Sequence, residues 1–290
     1  MNKLEELGVA LVTPFNKDLS VDFDGLTRLV EFNISNGVDY IVVLGTTAET
    51  ATLSDEEKEA VKSHIIKINN GRVPLVLGIG GNNTMEVRKK IENVDMSDFF
   101  AILSVSPYYN KPNQEGIYQH YKMLAETGKP IIIYNVPGRT GQNIEASTTL
   151  RLANDFPNLL MIKEASPNIS QYFDILRKKT QNFGLVSGDD EFTLPVTLAG
   201  GIGVISVIGQ AYPKEFSTML RLAKERKVDE AYKIHNSLVE IIRLIFAEGN
   251  PVGIKAVLSE MGLINNYLRL PLVPATEGLL AKIKLEMEKI

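Results

Sequence analysis

The 290-residue chain contains no cysteine. Disulfides, thiolate nucleophiles and cysteine-based metal sites are therefore outside its chemistry. Histidine is scarce too. His64, His120 and His235 fall in separate predicted helices with no metal-ligand spacing, so packing or surface roles are expected and metal catalysis is not. Neither sign of charge dominates. The 31 Lys and Arg against 35 Asp and Glu leave a net charge of −4, with no basic run to attract nucleic acid or an anionic membrane. No segment reaches the roughly 20 apolar residues of a membrane span. The opening Met1-Asn2-Lys3-Leu4-Glu5-Glu6 is charged where a signal peptide would be apolar. These absences predict a soluble, cytoplasmic protein with no nucleic acid and no membrane among its partners.

What is present is a recurring short apolar run followed by a longer helical stretch. The runs are Val9–Val12, Tyr40–Leu44, Pro74–Leu77, Phe99–Leu103, Ile131–Tyr134, Leu159–Ile162, Phe183–Val186 and Gly203–Val207. They do not alternate apolar with polar, which is how strands buried on both faces read. Their spacing, mostly about 25 to 35 residues, is that of one βα unit. Helix starts are marked by Asp22-Phe23-Asp24 and by a capping-box pattern at Ser54-Asp55-Glu56-Glu57. Gly37, Gly71 and Gly128 stand where helix-terminating glycines belong. Eight such units predict an α/β fold, a closed TIM (β/α)8 barrel. The alternative is an open doubly wound sheet, but the first strand is not followed by a GxGxxG turn. Beyond residue 224 the strand signal stops. Residues 228–247, 251–261 and 275–289 read as helices, and 269–274 as a connector. The expected organisation is a catalytic barrel at 1–224 with a helical extension at 225–290, and no linker that would let the two move independently.

Barrel enzymes carry their chemistry at the C-terminal ends of the strands. Lys163 ends an apolar run there, and a desolvated amine is a nucleophile. A plain ion pair with Glu164 is the competing reading. Tyr109, Tyr134 and Thr46 each follow a strand and could pass a proton between substrate and solvent, although a tyrosine taken alone is more often a core or interface residue. Arg139, after a Pro-Gly pair, has the fork that binds a carboxylate, or is simply a surface arginine. Thr46-Thr47 after Gly45 could rest an anionic carboxylate on hydroxyls and backbone N–H groups, or form a plain turn. Asp189-Asp190 would repel the phosphate that many barrels bind after the seventh strand, which argues against a sugar-phosphate aldolase.

Taken together, Gly45-Thr46-Thr47-Ala48-Glu49, Ser106-Pro107-Tyr108-Tyr109-Asn110-Lys111-Pro112, Tyr134-Asn135-Val136-Pro137-Gly138-Arg139-Thr140 and Ile162-Lys163-Glu164-Ala165 give the chain a family likeness. From about residue 4 to its C-terminus it resembles the dihydrodipicolinate synthase family, within the superfamily that includes N-acetylneuraminate lyase. The resemblance implies that Lys163 forms an imine with pyruvate and that Thr46, Tyr134 and Tyr109 form a proton relay, Tyr109 reaching into a neighbouring subunit's site. It implies that Thr47 holds the pyruvate carboxylate and Arg139 that of aspartate semialdehyde. Gly188 and Ile205 would line the site, Ile205 through its carbonyl near Lys163. The activity implied is the condensation of pyruvate with aspartate semialdehyde, the committed step toward diaminopimelate and lysine. It needs no metal or organic cofactor, and the family is usually a homotetramer built as a dimer of dimers. The stretch 135–140 resembles the synthases more than the sialic acid lyases. A sibling pyruvate-dependent aldolase of the N-acetylneuraminate lyase or ketodeoxygluconate type is the alternative, and a non-catalytic relative a further one. The family's lysine-inhibition site would fall at Thr50, Ala51, Asp55, Lys58, Asn82, Glu86 and Tyr108. Here Asp55 and Lys58 replace the histidines often found there. Lys58 adds a positive charge beside a cationic effector, so weak or absent inhibition by lysine is expected.

Overall fold

The computed structural model describes residues 4–290. Eight parallel strands close into a barrel in sequence order, β1 pairing with both β2 and β8. They are Glu6–Ala10 (β1), Tyr40–Val43 (β2), Leu75–Gly78 (β3), Ala101–Val105 (β4), Ile131–Asn135 (β5), Leu159–Glu164 (β6), Gly184–Ser187 (β7) and Gly203–Ser206 (β8). The connecting helices are Phe23–Ser35 (α1), Asp55–Asn69 (α2), Thr84–Glu92 (α3), Gln114–Ala125 (α4), the short Pro137–Thr140 (α5) with Ala146–Asp155 (α6), Ile169–Lys178 (α7), Thr193–Leu198 (α8) and Pro213–Lys224 (α9). Three more follow: Val228–Phe246 (α10), Val252–Glu260 (α11) and Glu277–Met287 (α12). The closed (β/α)8 barrel is the architecture expected from the eight runs.

The runs are apolar throughout because each strand has two buried faces. Val42, Val76, Leu103, Ile132, Met161 and Val186 fill the inside. Alternate residues such as Ile41, Ile102, Ile133, Ile162 and Leu185 lie in the cores shared with the helices. Tyr40 spans the interior and donates to the Val204 carbonyl at 3.1 Å. It fits because Gly8 has no side chain: a Cβ there would lie 2.2 Å from the Tyr40 ring.

The expected helix signals take the predicted form. Asp22 accepts from Gly25 N at 2.8 Å, and Ser54 with Glu57 forms a capping box. Gly37, Gly71 and Gly128 all have positive φ at helix ends.

Strand boundaries shift from the apolar runs by up to three residues, and the shifts at β1 and β6 have a clear cause. β1 ends at Ala10, whereas the run continued to Val12. Leu11 and Val12 are buried outside the strand, with Val12 N bonded to the Gln210 side chain, so their apolarity reports burial alone. β6 continues through Lys163 and Glu164, two charged residues past the end of its run.

Helices α10–α12 continue the barrel's own core. Leu238, Ile241, Ile245, Ile254, Val257 and Ile283 belong to one buried cluster with Leu7 and Val9 of β1. The connector before α12 is anchored by Arg269, which donates to Glu57, Thr52 O and Leu19 O. The histidines sit in α2, α4 and α10. His64 bonds Thr27 at 2.8 Å and His120 bonds Thr84 at 2.9 Å, both helix-to-helix contacts. Among the described residues, no helix is long and apolar enough to cross a membrane.

Candidate active site

Lys163 and Tyr134 are register partners on β6 and β5, and both side chains point into the barrel. Lys163 is 5% exposed, with Nζ 4.4 Å from the centroid of the Tyr134 ring. The competing reading of Lys163, a pair with Glu164, is not what the strand allows. Successive side chains leave opposite faces, and the Glu164 carboxylate is bonded outside the barrel to Asn135, Gln171 and Ser166 N. Room beside Lys163 comes from Gly188. A Cβ there would lie 2.7 Å from Ala165 Cβ and 2.9 Å from Lys163 Cε. Ile205, on β8, belongs to the same interior cluster as Tyr134 and Val186. These four residues, named from sequence, are brought together.

The segment after β2 makes one 3-10 turn at Thr46–Ala48, closed by Glu49 with φ 54°. Thr46 is exposed at the rim, and Thr47 is buried. Thr47 Oγ1 accepts from Asn250 Nδ2 at 2.9 Å. Across the rim, α5 begins with Pro137 and ends at Gly141 with φ 72°, a single turn that presents Arg139 to solvent. Arg139 Nη2 donates to Asn250 O at 3.0 Å. Asn250 thus bridges Thr47 and Arg139 from the α10–α11 loop. Its place in sequence, a Gly-Asn-Pro turn 203 residues from Thr47, carried no signal for this.

Tyr109 behaves differently. Its backbone has φ 73° and its side chain is 87% exposed, so it does not pack beside Tyr134 within its own chain. Tyr108 is 42% exposed next to it. The other residues of the expected lysine site lie in nearby elements. Thr50 and Ala51 form a turn before α2. Asp55 and Lys58 pair at 3.0 Å in its first turns. Glu86 is in the first turn of α3, and the Asn82 carbonyl accepts from Asn110 Nδ2 at 2.8 Å.

The two aspartates after β7 serve the backbone. Asp189 accepts from Glu191 N at 2.9 Å. Asp190 is buried and accepts from Val207 N at 3.1 Å and Ile208 N at 3.0 Å, tying the β7 loop to the β8 loop. Burial pushes its pKa up to about 6, against the pull of those donors. Among the described residues, no group of three His, Asp or Glu is placed to hold a metal.

A model of the dihydrodipicolinate synthetase family matches residues 3–290. The chain belongs to that family. A curated relative, the 4-hydroxy-tetrahydrodipicolinate synthase of Flavobacterium psychrophilum, is 58% identical over 96% of this chain and 95% of its own length. The dihydrodipicolinate synthase of Thermotoga maritima superposes with a TM-score of 0.96 at 37% identity, covering 99% of each chain. That of Acinetobacter baumannii, solved as a complex with pyruvate, gives a TM-score of 0.95 at 38% identity over 99% of this chain and 98% of its own. Family membership agrees with the resemblance carried by the four motifs.

Proposed function

We propose that the chain acts as a 4-hydroxy-tetrahydrodipicolinate synthase, condensing pyruvate with L-aspartate 4-semialdehyde on the way to diaminopimelate and lysine. The observation that carries this reading is Lys163: an amine buried inside the barrel rim, with a tyrosine ring at 4.4 Å and no carboxylate partner among the ion pairs of the described residues. The Flavobacterium relative, at 58% identity, bears that activity in its name.

The chemistry follows from the groups present. The Lys163 amine adds to the pyruvate ketone, and loss of water leaves an imine. The positive nitrogen acidifies the methyl group, which gives up a proton and becomes an enamine. The enamine carbon attacks the aldehyde of the second substrate. That substrate's own amine then displaces Lys163 and closes a six-membered ring. The positive imine nitrogen is the electron sink for the methyl proton's bond, so the proposed reaction calls on no metal or organic cofactor. Tyr134, Thr46 and a Tyr109 supplied by a neighbouring copy form the relay. The outward stance of Tyr109 supports its donation across a subunit boundary. Thr47 receives the pyruvate carboxylate, and Arg139 at the rim receives that of the semialdehyde. Gly188 and Ile205 line the space between. The assembly is a homotetramer, a dimer of dimers, in the cytoplasm. Lysine inhibits weakly or not at all, because Lys58 puts a cation where a cationic effector would sit.

The test is a coupled assay of pyruvate with aspartate semialdehyde, read through a downstream NADPH-dependent reductase. Turnover that disappears in Lys163→Ala is expected. A folded wild type without turnover would transfer the proposal to sialic acid or ketodeoxygluconate substrates.

A further inference from the structure

The residues that follow Tyr134 and Lys163 are also register partners, Asn135 with Glu164. Strand alternation turns them to the outer face of the sheet, where both are buried. Asn135 Nδ2 donates to the two Glu164 oxygens at 2.9 and 3.0 Å. Gln171 Nε2, from α7, donates to Oε2 at 2.8 Å, and Ser166 N to Oε1 at 2.8 Å. No lysine or arginine among the described ion pairs balances this carboxylate. Burial raises its pKa against the pull of these donors.

The direction of every bond is fixed. Asn135 Oδ1 is occupied by Ile144 N at 2.9 Å, and Gln171 Nε2 is committed as a donor by the Ile144 carbonyl at 3.1 Å. Neither amide can turn over and offer an oxygen, so position 164 must accept at both atoms. A glutamine there would set an N–H against a donor whichever way it faced. The backbone of residue 164 is held as well: its carbonyl accepts from Gly188 N at 2.6 Å and from Tyr172 Oη at 2.7 Å. The remaining outer face of these strands is Ile131, Ile133, Leu159 and Ile162, so the polar cluster is confined to the end that carries Tyr134 and Lys163.

We infer that Asn135 and Glu164 are positioning residues, a clamp behind the sheet that sets the placement of Lys163 relative to Tyr134 in front of it. The inference rests on the imine role of Lys163. One Cα–Cα step, about 3.8 Å, separates each clamp residue from the side chain it places. A displacement near 1 Å at a reacting group lowers turnover by about 100-fold.

Glu164→Gln in the full-length protein tests this. Trapping of pyruvate on Lys163 by borohydride, read by mass, counts competent sites and times imine formation. The expected result is a trapping rate and a kcat per folded site lower by about 10-fold to 100-fold, with the KM for aspartate semialdehyde changed less than about 3-fold. Leu220→Ala, in the core of α9 beside β1, is the control for lost stability alone; its kcat per folded site stays at wild type. Gln171→Met removes one donor and gives a smaller loss in the same direction, and it decides the matter if Glu164→Gln does not fold. A folded Glu164→Gln, or failing that a folded Gln171→Met, that traps pyruvate at the wild-type rate overturns the clamp. So does a loss no greater than that of Leu220→Ala. A wild type that traps no pyruvate overturns the imine reading, and the inference with it.

Discussion

Lys255, on α11, and Glu49, two residues beyond Thr47, form an ion pair with both side chains buried, Nζ lying 2.5 Å from Oε1. The ammonium also donates to Tyr267 O at 3.0 Å and lies 4.1 Å from the centroid of Phe15. The second Glu49 oxygen accepts from Arg269 N at 3.1 Å. Lys255→Met leaves that carboxylate buried without its cation and should destabilise the fold by about 3–5 kcal/mol in urea unfolding. The double change with Glu49→Gln should recover much of the loss, because the stranded charge goes with it. A Lys255→Met protein within about 1 kcal/mol of wild type would show the pair to be dispensable.

Asn250 offers a kinetic prediction. Asn250→Ala removes the donor to Thr47 but keeps the carbonyl that Arg139 uses. One hydrogen bond is worth about 0.5–1.5 kcal/mol, so the KM for pyruvate should rise by about 2-fold to 10-fold. Steady-state kinetics with each substrate varied in turn checks this; equal KM increases for both substrates would count against the Thr47 assignment.

Gly188→Ala should separate folding from chemistry. The added methyl would lie 2.7 Å from Ala165 Cβ and 2.9 Å from Lys163 Cε, so the lysine must shift. Overpacking of this kind costs about 1–3 kcal/mol, which a full barrel survives. Imine formation should fall by about 10-fold or more, because the nucleophile is displaced. Pyruvate trapping beside a urea titration reads both effects; normal trapping would mean that the lysine has room to spare.

His120 gives a pH dependence whose sign can be worked out. Burial pushes its pKa down to about 4, from about 6.5 for a free imidazole. Between those values the unfolded chain binds a proton that the folded chain refuses, so this group's contribution to stability falls as pH drops from 6.5 to 4, by up to about 3 kcal/mol. Asp190 has the opposite sign. With its pKa raised to about 6 it holds a proton in the fold that the unfolded chain releases, so it gains stability as pH falls through that window. The two slopes overlap, and wild type alone cannot separate them. His120→Gln should be less acid-labile than wild type, the difference growing from pH 6.5 toward 4. Parallel stability curves would mean that His120 titrates normally in the fold.

Much of this molecule is legible in its sequence, for physical reasons. Eight strands buried on both faces leave eight unbroken apolar runs, and Ser54 to Glu57 spells a helix start. Lys163 is visible because a charge ends such a run. Strand ends are less legible, since Leu11 and Val12 are as apolar outside β1 as Val9 is inside it. Tyr109 showed its motif but not its exposure, which depends on a positive φ that sequence does not display. Asn250 and Lys255 were invisible, because their partners Thr47 and Glu49 lie more than 200 residues away. The competing reading, a pair of Lys163 with Glu164, fails because period-two alternation turns the two side chains to opposite faces.

The bridge from Thr47 through Asn250 to Arg139 has a consequence for the order in which the molecule comes into being. The strand that bears Lys163 leaves the ribosome long before the loop that bears Asn250. A nascent chain with all eight strands outside the exit tunnel already owns its nucleophile, yet lacks the residue that joins Thr47 to Arg139. The join between the Thr47 and Arg139 loops is therefore made late in translation, with the same helices that complete the core behind β1.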